Sequence, residues 1–177
     1  MDICQGDIRI RNAERADCPR LAGWWNDGSV MAHAGFPLGL GITPEEIEAK
    51  ISTDSDDTRR RLILEYRGRA VGEMSYRAVD GNAAEIGIKI CEAEYRERGI
   101  GRAALSMLVR QLFSMGYARI ALDTNLKNTR AQHVYELLGF RKLRVNVDSW
   151  KDQLGAPQSS VDYELLPEDF RDLSGQN

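Results

Sequence analysis

The chain has 177 residues and a mass of 19.9 kDa, with 42% hydrophobic and 29% charged residues. That is enough apolar material for one folded domain and too much for wholesale disorder. Lysine plus arginine number 24 against 27 aspartates plus glutamates, a net charge of −3. This argues against a dedicated nucleic-acid binder, which would carry an excess of positive charge. Three cysteines (4, 18 and 91), no CxxC pair and two histidines (His33 and His133) give no metal-ligand spacing. No metal is expected, and the odd cysteine count suits a reducing compartment. The opening MDICQGDIRI is acidic where a signal peptide would be basic and then apolar. No apolar stretch is long enough to span a bilayer, so a cytoplasmic protein without a membrane partner is expected.

Ile8–Arg11 alternates like a strand, and Arg15–Asp27 has helical periodicity with Leu21, Trp24 and Trp25 near one face. Gly28–Ile42 carries four glycines and Pro37 and is expected to be a loop, unusually apolar for one. Thr43, Pro44 and Glu46 form a capping box that starts a helix running to about Ser52. Asp54–Arg61 reads as a solvated turn. Strands are expected at Arg61–Tyr66, Ala70–Ala78 and Ala83–Ile90, with turns at Gly68 and Asp80–Asn82 between them. Gly101–Met115 has an amphipathic period, Arg119–Thr124 is a strand, and Thr129–Leu138 is a helix stopped by Gly139. Two last strands, Lys142–Trp150 and Val161–Leu166, flank a loop with Gly155 and Pro157, and Glu168–Asn177 reads as a frayed tail. The pattern predicts a single α+β domain over 1–177, its core at about 8–166. A mostly antiparallel twisted sheet of about seven strands would be flanked by about four helices.

The densest chemical signal is Tyr95–Ala103. Gly99 and Gly101 before a helix let backbone N–H groups point at one small volume, and Arg96, Arg98 and Arg102 add positive charge. Such a group suits phosphate or pyrophosphate, whereas a glycine turn with solvated arginines is the plain alternative. A dinucleotide fingerprint through Gly99, Gly101 and Ala104, with Asp123 on a ribose, fails in context, because charged Tyr95–Arg98 separates the strand from the first glycine. Gly87 interrupts the strand Glu85–Ile90 with Glu85 and Lys89 on its own face, the mark of a bulge, a close ligand or a packing accommodation. Asn128 either caps the following helix or offers its amide to a ligand. Tyr135 shares a helix face with Ala131 and Leu138, a pattern that by itself favours a core tyrosine.

Taken together, these segments resemble the GNAT superfamily of acyl-CoA-dependent N-acetyltransferases over roughly Ile8–Leu166. The pyrophosphate motif Arg/Gln-x-x-Gly-x-Gly/Ala is met by Arg96, Gly99 and Gly101. A second motif, an asparagine followed seven residues later by tyrosine and then Gly-Phe, is met by Asn128, Tyr135, Gly139 and Phe140. Trp24–Asp27 and the closing Trp150, Asp162 and Tyr163 are similar to the branch containing ribosomal-protein-alanine N-acetyltransferases, which also includes enzymes of other substrates.

The resemblance implies acetyl-CoA as co-substrate, lying between strands 83–90 and 119–124. Its pantetheine would pair with backbone at Ile88, Lys89 and Ile90 with Asn128 holding its side, its pyrophosphate would sit on the amides of Arg98, Gly99, Ile100, Gly101 and Arg102, and Arg96, Ala103 and Arg130 would also bind the cofactor. Tyr135 would face the sulfur as proton donor. The base could be Asp123, Glu85 or Glu73, or water. An amine, either a small molecule or a protein N-terminus, would enter beside Trp24, Trp25, Phe36 and Glu73, with His33 and Tyr76 as further aromatic lining, unless most of these rings are core or lid packing, the fate expected of at least one tryptophan. A homodimer through the C-terminal strands fits the same branch. A non-catalytic acyl-CoA-binding module, regulatory in role, is the alternative that the residues leave open.

Overall fold

The computed structural model describes residues 1–175. Eight strands form one sheet in the order β1-β2-β3-β4-β5-β6-β8-β7. They span Asp2–Gln5 (β1), Ile8–Asn12 (β2), Arg59–Tyr66 (β3), Arg69–Val79 (β4), Ala83–Ile90 (β5), Arg119–Asn125 (β6), Arg141–Lys151 (β7) and Pro157–Leu165 (β8). Five α-helices flank them: Cys18–Asn26 (α1), Gly28–Met31 (α2), Pro44–Ile51 (α3), Ile100–Ser114 (α4) and Thr129–Leu137 (α5). Every neighbouring pair is antiparallel except β5 and β6.

The sheet is covered on both faces, which explains the unbroken apolar run in β3. Leu62 and Leu64 enter a large core with α4, while Ile63 between them enters a second core with α1 and α3. On α4, Ala104, Leu105, Leu108 and Leu112 are fully buried against the sheet. Each buried leucine contributes about 1.5–3 kcal/mol relative to exposure. The capping box of α3 forms as the sequence dictates: the Glu46 N–H donates to Thr43 Oγ1 at 3.2 Å and Thr43 N–H to Glu46 Oε2 at 2.8 Å.

The sheet of about seven strands gains a short edge strand, and two other expectations are corrected. The sheet has an eighth strand, because Asp2–Gln5 pairs back on Ile8–Arg11 through a turn at Gly6 with φ +55°. That short strand lacks the apolar alternation that marks a half-buried strand. The segment 28–42 is not all loop: it carries α2, capped by Asp27 on the Ser29 N–H at 2.8 Å, and a 3-10 turn at Ala32–Ala34. It packs tightly, since a Cβ on Gly28 would stand 1.9 Å from the Pro37 carbonyl oxygen. The tail is not frayed through Gly175. Phe170 packs edge-on against Phe113, Leu173 N–H donates to Ser106 Oγ at 3.0 Å, and Arg171 N–H donates to the Leu138 carbonyl. Gln176 and Asn177 lie outside the described residues.

Candidate active site

The site begins where β5 and β6 stop being a pair. Their parallel register holds only for Ala83–Arg119, Ala84–Ile120 and Glu85–Ala121. Beyond it β5 stays bonded to β4 as far as Ile90, and β6 stays bonded to β8 as far as Asn125. A wedge therefore opens in the middle of the sheet. Alternate N–H and C=O groups of Ile86–Ile90 turn toward the side that β6 has left. Ile88 and Ile90 are only partly buried there, unlike Ala84 and Ile86 earlier in the strand.

The wide end of the wedge is closed by the start of α4. Gly99 caps the helix with φ +75°, a left-handed conformation that a glycine adopts without steric cost. The first bond within the helix is from the Ala103 N–H to the Gly99 carbonyl. The N–H groups of Ile100 and Gly101 therefore project from the N-terminal end. A Cβ on Gly101 would point at Ile90 of the wedge wall, 3.5 Å away. The helix terminus thus faces the cleft, and its partial positive charge favours an anion.

The arginines of this motif divide in their roles. Arg96 turns back and donates to the Ile90 and Cys91 carbonyls, both at 3.0 Å, which ties the loop to the end of β5. Its guanidinium is therefore a brace rather than a ligand group. Arg98 lies over the Tyr95 ring at 5.7 Å, exposed to solvent. Arg130, at the start of α5, pairs with Glu97 of the loop at 2.7 Å. Asn128 is the N-cap of α5, accepting from the Ala131 N–H at 3.3 Å, so its carbonyl oxygen serves the helix.

Tyr135 and Asp123 stand on opposite faces of the parting strands. Tyr135 is 7% exposed and packs between the Phe140 and Tyr163 rings. Burial pushes its phenol up to about 12; the Asp123 carboxylate adds to this, and a hydrogen bond with Thr124 opposes it. Asp123, the neighbour of Thr124, projects from the other face of β6. Although solvent-exposed, its carboxyl is held above the usual range, first by partial desolvation, then by Glu85 and Asp162. The register sets Asp162 directly across from it. Continuing the β5–β6 register two residues past its last pair brings Gly87 opposite Asp123, so no side chain fills the gap.

The remaining candidates on this face are already engaged. Glu85 is held by Arg77 at 2.8 and 3.0 Å, whereas among the described residues the Asp123 carboxylate has no hydrogen bond or ion pair to another side chain. Glu73 accepts from Trp25 Nε1 at 2.7 Å and from Lys89 Nζ at 2.8 Å. Trp25 is therefore anchored to the sheet, whereas Trp24 is in the second core, its Nε1 donating to Glu92 at 3.0 Å. Tyr76 is buried in the large core, on the opposite face from the acceptor side, and bonds Asp56. Phe36 is partly exposed in the segment 28–42 that covers this face. Cys91, beside the cleft, has its thiol pushed up to about 12 by burial and by Glu73, so it is no thiolate nucleophile.

Sequence reasoning missed the covering of the acceptor side. Gln153, in the β7–β8 connection, accepts from the Leu38 N–H and donates to the Gly39 carbonyl, each at 2.9 Å. Its own N–H donates to the Gly35 carbonyl at 2.8 Å. The Trp150 ring lies where a Cβ on Gly35 would be, 2.4 Å from it. The turn Ala32–Ala34 comes against β6. A glutamine more than a hundred residues from its partners carries no local signal.

A family model described as "Acetyltransferase (GNAT) domain" matches residues 7–141. No curated protein sequence matches the chain. Among solved structures, a probable acetyltransferase is 25% identical over 96% of this chain and 99% of its own, with TM-score 0.83. Spermidine N-acetyltransferase from Vibrio cholerae, in complex with CoA and spermine, is 20% identical over 93% of this chain and 98% of its own, with TM-score 0.82. RimL, a ribosomal L7/L12 alpha-N-protein acetyltransferase in complex with coenzyme A, is 15% identical over 94% and 98%, with TM-score 0.82.

Proposed function

Because the chain belongs to the GNAT acetyltransferase family, we propose that it transfers acetyl from acetyl-CoA directly to a primary amine. The observation that carries this reading is the wedge between β5 and β6, with a proton acceptor on one face and a proton donor on the other. The CoA-bound neighbours of the same fold agree with it. Acetyl-CoA supplies the acyl group as a thioester, a good electrophile with a thiol leaving group.

The chain's own groups fit that co-substrate. The backbone of Ile88–Ile90 offers donors and acceptors to an amide-bearing arm. The Ile100 and Gly101 amides, at a helix terminus, meet the pyrophosphate, and Arg98, Arg102 and Arg130 supply charge around it. Asp123 receives the amine and takes its proton. An α-amine of pKa about 8 costs roughly 1.4 kcal/mol to deprotonate at pH 7, a lysine-type amine of pKa about 10.4 roughly 4–5 kcal/mol. The raised pKa of Asp123 narrows its gap to the amine and makes it a stronger base than an ordinary carboxylate. Tyr135 stays protonated at neutral pH and donates to the sulfur as it leaves. Transfer without an enzyme-bound acyl group is consistent with the protonated, buried state of Cys91.

Calorimetric titration with acetyl-CoA, with NAD as the comparator, tests the donor half. Micromolar binding of acetyl-CoA alone is expected, followed by acetylation within a panel of N-terminal peptides and small amines. Tight binding of NAD without acetyl-CoA would sink the reading.

A further inference from the structure

On the acceptor face, the charges run in order along the sheet. Arg59 on β3 is set directly opposite Arg77 on β4, and Arg77 is opposite Glu85 on β5. Asp123 and Asp162 follow on β6 and β8. Arg59, Arg61 and Arg77 border a recess of about 350 Å³, together with Thr53, Asp54, Thr58 and Ala78. Arg61 is committed, paired with Asp54 and donating to the Lys50 carbonyl. Arg77 is shared with Glu85. Arg59 is exposed, and its side chain makes no hydrogen bond or ion pair among the described residues. Two nearby carboxylates of the same turn are engaged: Asp56 takes Arg60 and the Tyr76 hydroxyl, and Asp54 takes Arg61.

Two arginines facing each other across an antiparallel ladder repel, and among the described residues no side chain pairs with Arg59. An anion seated between them would remove that penalty. We propose that the Arg59–Arg77 recess is a subsite for an anionic group, a carboxylate, carried by the acceptor whose amine lies at Asp123. This rests on the acetyltransferase reading and adds the acceptor class: a zwitterionic or acidic amine rather than a polyamine. Arg77 and Asp123 are two strands apart and electrostatically coupled. The amine and carboxylate are therefore on the order of 10 Å apart. In an extended peptide that is the distance from the α-amine to a side chain at the third residue.

The test uses product analogues, so it needs no turnover. Calorimetry compares N-acetyl-Ser-Ala-Glu-amide with N-acetyl-Ser-Ala-Gln-amide, and N-acetyl-6-aminohexanoate with N-acetylhexylamine, each with and without coenzyme A. The peptide pair reports a protein or peptide source of the carboxylate, the second pair a small molecule. Wild type is expected to prefer the acidic member of at least one pair by tenfold or more. Arg59→Gln is expected to lose most of that preference and Arg59→Glu to abolish or reverse it, with thermal stability equal to or above that of wild type, since the repulsion is relieved. Equal binding within both pairs, or a preference that survives Arg59→Glu, overturns the proposal. Coenzyme A titrated into the same samples separates the two failures: intact coenzyme binding with no acidic preference removes only the subsite, and absent coenzyme binding removes the acetyltransferase reading.

Discussion

The two sides of the wedge are built from different materials. The donor side is mostly backbone: the unpaired edge of β5, the left-handed Gly99 and the amides that open α4. The acceptor side is mostly side chains bound to one another, such as Trp25 with Glu73 and Lys89, Glu85 with Arg77, and Gln153 with the segment 35–39. A backbone site is fixed by the path of the chain and tolerates change in its side chains. A side-chain site changes with every substitution, which suits the half proposed to receive the amine.

That difference is sharpest at Gly101. Its Cβ position is open apart from ordinary contact with Ile90, so Gly101→Glu leaves the fold in place and sets a carboxylate at the amide cradle. Acetyl-CoA affinity is expected to fall at least about 100-fold, or roughly 2.7 kcal/mol, with little change in melting temperature. Wild-type affinity in calorimetry would show that the helix terminus does not carry the pyrophosphate.

Tyr135→Phe divides the two sides in another way. The ring keeps its packing on Phe140 and Tyr163, so acetyl-CoA binding is expected to hold. Turnover should fall about 10²-fold because the proton donor is gone. Stability should fall by about 1 kcal/mol, since the bond with Thr124 is lost. A kcat equal to that of wild type would make Tyr135 a packing residue.

Asp123 gives a pH signature on the acceptor side alone. Its raised pKa means that the folded chain holds this proton more tightly than the unfolded chain. The carboxylate therefore opposes folding, and the cost appears as pH rises from the ordinary value of 3.8 through the raised one. Asp123→Asn should remove that loss in melting temperature while leaving acetyl-CoA affinity unchanged. The acid limb of kcat/KM in wild type should lie above pH 3.8 and shift or vanish in the variant. Identical pH profiles for the two proteins would remove Asp123 as the base.

The smallest effect is expected at Glu97. Its pair with Arg130 is solvent-exposed on both partners, so Glu97→Ala should not alter stability measurably. It frees Arg130 beside the expected pyrophosphate, and acetyl-CoA affinity should rise by at most a few-fold at low salt. A loss of affinity would mean that the pair orders the loop.

Legibility in the sequence followed the same division. Gly99, Gly101 and Asn128 were visible because glycine before a helix and asparagine at a helix start have local causes, whereas Tyr135 reads by pattern as a core tyrosine and only the family resemblance singles it out. The cap role of Asn128 and the brace role of Arg96 needed the structure, since both residues could equally have faced a ligand. Trp24 and Trp25 are adjacent in sequence and one residue apart on a helix, yet one enters the core and the other reaches Glu73 on the sheet.

By itself the sequence determined the four longer helices, the meander, the α+β class and the glycine turn before α4, because each depends on contacts within a few residues. Tertiary structure alone decided where β5 leaves β6, which carboxylate beside the wedge lacks a side-chain partner among the described residues, and what covers the acceptor face. Those outcomes depend on register between distant strands and on pairs such as Gln153 with Gly39, and no local pattern encodes a partner more than a hundred residues away.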